Sequence, residues 1–330
     1  MKIYEDLKQF DRPKNGCILT AGNFDGLHNG HRAIIRRARA FADAHGMPLV
    51  AMTFKPLPLQ VLAPDIAPKL ITPLIMKRKL LGEMDIDALI VLDTTRGLLD
   101  IPAEQFLKDI MLGALNMKYI VEGSTFNFGH KAKGDIPGLI GWGADFGFGV
   151  ELVQAHAEVI DGEKTDISST LVRQLLQQSR FAAVKTALGR YYSLAGVIEP
   201  TRGRGHELGF PTANLQLYDK KQLIPGDGVF AGFVRWGDSF DAAWASADYH
   251  GAAVSIGPCS TFADGQWQIE AHILGFSGKR DILTGKHMLI SLVEKLRGQE
   301  KFNDVDELVS KIKEDCRRTA KIIGDLDLKV

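Results

Sequence analysis

Residues 21–31 read Ala21-Gly-Asn-Phe-Asp-Gly-Leu-His-Asn-Gly-His31. A short apolar run, Cys17 to Thr20, precedes them and has the composition of a buried strand. Behind them, Arg32 to His45 is rich in Ala, Arg and Ile and free of Gly and Pro, which predicts a helix. The stretch is therefore a strand-to-helix turn, where Gly22, Gly26 and Gly30 let the backbone approach a ligand closely. A helix N-terminus presents free N–H groups and the positive end of a dipole, a combination that binds phosphate. His28 and His31 share one face if the helix begins near them. Two imidazoles over a phosphate can donate hydrogen bonds to the charge that builds during transfer, with no metal ligation. On these residues alone, a pair of turn histidines behind a glycine-rich loop stays open as an alternative.

The rest of the chain supports an α/β reading. Apolar runs at 48–54, Ala88–Leu92, Tyr119–Val121 and Val150–Gln154 predict further strands. Between them, Thr72-Pro73 suits a helix N-cap and first turn running to about Leu81, and Pro102 opens a helix towards Leu115. Pro137 opens a shorter one within a glycine-rich segment. Strands alternating with helices predict a parallel sheet covered on both faces, with ligands at the carboxyl ends of the strands, where the His28/His31 turn lies. Further on, Ile167-Ser-Ser-Thr-Leu-Val-Arg173 offers Ser168 or Ser169 as an N-cap, with Arg173 one turn along facing back to the helix start. This is a second phosphate cradle, whose guanidinium suits bidentate contact.

The pattern changes after Leu188. Ser193–Ile198, Gly228–Trp236, Gly251–Ile256 and 266–276 are short β runs broken by Gly and Pro, which predict a small antiparallel barrel. Leu289–Arg297 and Val305–Ile323 carry helical spacing, with Asn303 and Asp306 as the cap of the last helix. Within the barrel, Arg202-Gly-Arg-Gly-His-Glu-Leu-Gly-Phe-Pro-Thr-Ala-Asn214 joins a glycine-rich loop able to wrap phosphates, including Gly203 and Gly205, to Thr212 and Asn214, oxygen ligands suited to Mg²⁺. Read plainly, it is also a basic turn before an edge strand.

Bulk properties narrow the class. A chain of 330 residues accommodates two domains, and 45% apolar with 24% charged residues is ordinary for a soluble protein. Zero formal net charge argues against a nucleic-acid partner. The start lacks an apolar signal region and no apolar run is long enough to span a bilayer, so no membrane association is expected. Cys17, Cys259 and Cys316 are odd in number and far apart, which fits a reducing cytoplasm.

The 21–31 segment resembles the HxGH element of the nucleotidyltransferase superfamily. With Gly22-Asn-Phe-Asp-Gly26 it resembles the N-terminal module of the bacterial bifunctional riboflavin kinase/FMN adenylyltransferase (FAD synthetase) family. Ile167–Arg173 is similar to the element that grips the ATP triphosphate there, and the 202–214 segment resembles the riboflavin kinase signature. The resemblance implies a Rossmann-like nucleotidyltransferase domain over 1–187 and a β-barrel riboflavin kinase domain with C-terminal helices over 188–330. It implies phosphorylation of riboflavin to FMN and adenylylation of FMN to FAD, with ATP, riboflavin and FMN as substrates and Mg²⁺ accompanying ATP. ATP contacts fall on Gly22, Asn23, Phe24, Asp25, Gly26, Gly30, Ser168, Ser169, Thr170 and Arg173, with His28 and His31 catalytic. In the barrel, Thr212 and Asn214 hold Mg-ATP and Glu270 is the base on the ribityl hydroxyl. Asn127 and Arg297 fall at flavin-binding positions.

Several positions depart from the family pattern: Lys55, Leu57 and Thr125 in the first half, and Ser255, Ser260, Gly275 and Thr284 in the second. None replaces a principal phosphate or base residue, and their bearing is on rate and flavin affinity. Two rival readings follow. Another HxGH enzyme, such as a class I aminoacyl-tRNA synthetase, lacks support from charge and from any Lys-Met-Ser-Lys-Ser-like loop. A flavin- or nucleotide-binding regulator with decayed catalysis is separated from an enzyme by turnover. The sequence leaves oligomeric state open.

Overall fold

A computed structural model describes residues 1–200, 210–258, 267–276 and 282–326. The chain divides into two compact units, Met1–Ser169 and Thr170–Val330. The first is built on six parallel strands: β1 (Lys2–Tyr4), β2 (Cys17–Ala21), β3 (Leu49–Lys55), β4 (Ala88–Asp93), β5 (Met117–Gly123) and, after the small β6/β7 pair (Asn127–Phe128 and Gly134–Asp135), β8 (Gly149–Val153). Their order across the sheet is β1-β4-β3-β2-β5-β8. Every residue of β2 is buried, as continuous apolar strands covered on both faces require. The edge strand β1, whose run of three residues is too short to show alternation, is an addition to the predicted set.

Helix Asn29–His45 crosses from β2 to β3 and buries Ile35, Ala38 and Ala42 along one face. It starts three residues earlier than predicted, because His28 acts as its N-cap. Thr72 does not cap the next helix, Leu74–Gly82: Pro73 holds that position and the Thr72 N–H goes to Asp25. The helix from Ala103 widens after Phe106, so that Leu115 N–H reaches Ile110 carbonyl at 3.0 Å. A hairpin missing from the sequence reading, β9 (Ala157–Ile160) with β10 (Glu163–Asp166), follows β8.

The second unit is a closed antiparallel barrel of β11 (Tyr192–Glu199), β12 (Ala213–Leu217), β13 (Gly228–Gly237), β14 (His250–Pro258), β15 (Trp267–Ile273) and β16 (His287–Arg297), ordered β11-β12-β15-β14-β13-β16. Leu289–Arg297, predicted as helical, is thus the main part of a strand that pairs with β11 on one side and β13 on the other. Met288–Leu292 is buried without a break, since helices Phe181–Leu188 and Phe240–Ala245 pack on β16. A short continuous apolar run gives no period that separates strand from buried helix. The final helix, Val305–Gly324, is capped by Asp304 rather than by Asn303 and Asp306. The Asp304 carboxylate accepts Glu307 N–H at 2.8 Å, and Glu307 accepts the N–H of Asn303 in return.

Candidate active sites

The first site is the turn between β2 and its helix. Phe24, Gly26 and Leu27 have φ of 43°, 88° and 38°, so the chain coils left-handed through the turn. A Cβ at Gly26 would meet the Ile71 side chain at 3.2 Å, in a conformation that already favours glycine. Asp25 is 1% exposed, and its carboxylate accepts the N–H groups of Ile71 at 3.0 Å and Thr72 at 3.0 Å. These backbone donors pin the turn to the 71–72 segment. Asn23 has an exposed side chain, while its carbonyl accepts Lys77 Nζ at 2.7 Å. Lys77 itself is buried, and that burial pulls its ammonium down to about 8.

His28 caps the helix through Nδ1, which accepts His31 N–H at 3.3 Å. A neutral His28 therefore carries its proton on Nε2. The two imidazoles stack with centroids 3.7 Å apart and planes within 20°, and the edge of Phe24 closes on His31 at 5.5 Å. Burial, then the His28 charge, then Lys77 hold His31 well below the ordinary histidine range, so it acts neutral. Gly30 permits this stacking, because a Cβ there would lie 3.1 Å from both the His28 ring and the Ile167 carbonyl. Gly22 precedes the turn and donates its N–H to Met52 carbonyl at 2.9 Å.

Ser169 Oγ donates to the Asp25 carbonyl at 2.8 Å, joining the second predicted cradle to the turn. Ser168 and Thr170 are exposed, and Arg173 lies one turn into helix Ser169–Gln177, partly buried. Asn127 is exposed, with Nδ2 on Thr125 carbonyl at 3.2 Å. Lys55 is exposed at the end of β3, whereas Leu57 is buried. The sequence reading missed three groups here. Lys77 could have been found as a charge inside an apolar helix pattern. Glu158 accepts Asn29 Nδ2 and a ring nitrogen of His156, each at 2.9 Å, and nothing local marks it. Glu122 hides within the apolar run of β5.

The second site lies on the barrel wall. Glu199, Asn214, Glu270 and Ser255 form one row across β11, β12, β15 and β14, each paired in register with the next. Paired residues in an antiparallel ladder project from the same face. Asn214 Oδ1 is buried and has no hydrogen-bond partner among the described residues. An orphaned amide oxygen suits a hard cation such as Mg²⁺, which takes few protein ligands and keeps waters and phosphates for the rest. Among the described residues no cluster of three or more His, Cys, Asp or Glu side chains forms a dedicated metal cage. Glu270 Oε1 accepts Gln268 Nε2 at 2.6 Å. Thr212 lines a pocket with Glu199, Pro211, Phe276 and Thr284, and a ring nitrogen of His272 meets Pro211 carbonyl at 2.9 Å, holding the strand entrance.

Arg297 is committed elsewhere in the barrel. Its guanidinium grips the buried Asp315 carboxylate through Nε at 3.0 Å and Nη2 at 2.9 Å, and lies over the Phe302 ring. Gly275 has φ of 69°, a backbone conformation that a glycine adopts readily where the family carries an acid. Gly203, Gly205 and Ser260 lie outside the described residues.

Comparison with known proteins identifies the family of each half. Residues 11–171 match the FAD synthetase family and residues 188–323 the riboflavin kinase family. The bifunctional riboflavin kinase/FMN adenylyltransferase of Escherichia coli K12 is 32% identical over 325 residues, covering 98% of each chain. That of Pseudomonas fluorescens is 30% identical, with 96% of each covered. A crystal structure of a Streptococcus pneumoniae protein described as a macrolide-efflux protein matches with a TM-score of 0.81 at 27% identity, over 96% of this chain and 97% of that one. Among the described residues no helix is long and apolar enough to cross a membrane. The chain belongs to the bifunctional riboflavin kinase/FMN adenylyltransferase family.

Proposed function

We propose that the barrel phosphorylates riboflavin from Mg-ATP to give FMN, and that the parallel-sheet unit transfers AMP from ATP to FMN, giving FAD and pyrophosphate. The observation that carries this is the presence of two constellations in one chain: the stacked His28/His31 pair at a helix N-terminus, and the Asn214–Glu270 pair on the barrel wall. We assign residues 1–187 to adenylyl transfer and 188–330 to the kinase.

In the kinase, Thr212 and Asn214 hold Mg²⁺ with ATP, and Asn214 Oδ1 is suited to this because it has no donor among the described residues. When bound, the metal neutralises charge on the transferring phosphates. Glu270 accepts the proton of the ribityl hydroxyl as the new P–O bond forms. Its neighbour Gln268 orients the carboxylate. Gly203 and Gly205 wrap the phosphates.

In the adenylyl transferase, the N–H groups around Gly22–Gly26 and the start of helix Asn29–His45 receive the triphosphate, and Ser168, Ser169, Thr170 and Arg173 are assigned as further phosphate contacts. His28 and His31 donate N–H bonds to the α-phosphate as the FMN phosphate attacks it and pyrophosphate leaves. Asn127 contacts the flavin. Arg297, whose guanidinium is held by Asp315, contacts the flavin in the kinase half. Cys17 and Cys316 are free thiols, which supports a cytoplasmic location.

Incubation with riboflavin, ATP and Mg²⁺, with FMN and FAD resolved by chromatography, tests the assignment. Sequential appearance of FMN and then FAD is expected. Flavin binding without either product identifies a regulator.

A further inference from the structure

The ladder between the two central strands stops short. β2 stays paired with β3 as far as Ala21↔Met52, and Gly22 N–H extends that edge. β5 stays paired with β8 as far as Gly123↔Val153. Between β2 and β5 the last registered pair is Leu19↔Ile120. Over their final residues the two strands therefore keep their outer neighbours and part from each other. From β2 the chain proceeds to β3 and β4 on one side, while β5 and β8 lie on the other. A parallel sheet binds its ligands outside such a reversal point, at the carboxyl ends of the strands.

Glu122 occupies the parting. Its side chain is 3% exposed, and Oε1 accepts Ala21 N–H at 2.5 Å and Thr20 Oγ1 at 3.3 Å. A backbone carbonyl of β5 would make that bond in a continued ladder; here a longer side chain spans the wider gap. Ala21 is the last residue before the turn that carries His28 and His31. An apolar residue at 122 would leave the Ala21 N–H buried without an acceptor, and a buried acid is otherwise costly. Burial also holds the carboxyl well above the usual carboxylate range, which favours the neutral acid.

We propose that Glu122 is a positioning residue for adenylyl transfer: its carboxyl replaces the last rung between β2 and β5, holding the nucleotide crevice open and fixing where the histidine turn begins. The inference rests on the proposed function of that turn.

The test compares Glu122→Gln and Glu122→Asp in the full chain. Gln keeps an acceptor at the same reach; Asp keeps the acid but draws it back by one methylene. FAD formation from supplied FMN should show an ATP KM about tenfold higher in Glu122→Asp, the equivalent of one hydrogen bond, and near native in Glu122→Gln. A variant that is merely less folded loses active enzyme and leaves KM unchanged. A native ATP KM in Glu122→Asp overturns the proposal, and so does an equal rise in Glu122→Gln. Direct titration with ATP is run alongside. A wild-type chain that binds ATP without making FAD counts against the proposed function alone, and weaker ATP binding in Asp than in Gln then still supports the wedge.

Discussion

Asn214 and Glu270 stand directly opposite one another across the β12–β15 ladder, so the proposed metal ligand and the proposed base project from the same face of the barrel. This is the geometry that phosphoryl transfer to an alcohol asks for. The metal side of the reaction and the proton acceptor must flank a single in-line path.

A first prediction follows for Glu270. Glu270→Gln preserves size and the contact with Gln268 but cannot take the hydroxyl proton. FMN formation should fall about 10²–10⁴-fold, the range for a positioned general base. Riboflavin should still bind, and FAD formation from supplied FMN should continue. Phosphorylation at near-native rate would make Glu270 a scaffold residue.

His31 gives the second. Its ring stacks on His28 and is held neutral by burial, so it serves as a donor without carrying charge. His31→Ala should slow FAD formation about 10²–10³-fold while FMN formation persists. Because burial holds His31 well below the ordinary histidine range, the wild-type rate should show no His31 titration within that range. A rate that rises on acidification through about 6.5, and loses that rise in His31→Ala, would mean that the imidazolium is the active form.

The sequence carried the α/β half well because its strands are separated by helices of distinct period. The turn was legible down to single residues, since Gly26 and Gly30 are dictated by close approach to Ile71 and His28. Burial on both sides is what hid β16: Met288–Leu292 presents no alternation to read. Glu122 was hidden for the opposite reason. A polar residue in an apolar strand reads as an edge or an irregularity until the early end of the β2–β5 ladder shows what it replaces. Asp25, read as a phosphate neighbour, has its carboxylate on backbone donors of Ile71 and Thr72, a long-range contact that no local pattern encodes.

A third prediction concerns where the kinase unit begins. The riboflavin kinase match starts at residue 188, yet helix Phe181–Leu188 packs on the barrel, and Phe181 sets its ring edge-on to the buried Phe230 at 5.7 Å. A fragment starting at residue 188 should fold less stably than one starting at residue 180. Loss of the Phe181 side chain alone accounts for about 1.5–3 kcal/mol. Urea midpoints of the two fragments measure this, and equal midpoints would show that the helix contributes nothing to the barrel.

The last prediction takes Glu122 as a probe of stability against pH. Its folded-state pKa is raised by burial, while in the unfolded chain the group ionises near the ordinary value of about 4.3. Between those two values the folded protein holds a proton that the unfolded chain has released. Stability must then fall as pH rises, by at most about 1.4 kcal/mol per pH unit. Glu122→Gln keeps the acceptor for Ala21 N–H but has no proton to lose. Its stability relative to wild type should therefore climb as pH rises above 5, until the folded-state carboxyl itself ionises, whatever the offset at pH 5. Urea unfolding of both proteins across that range gives the difference directly. A flat difference would show that Glu122 ionises in the fold much as it does in water, and the neutral-acid description of the rung between β2 and β5 would have to be abandoned.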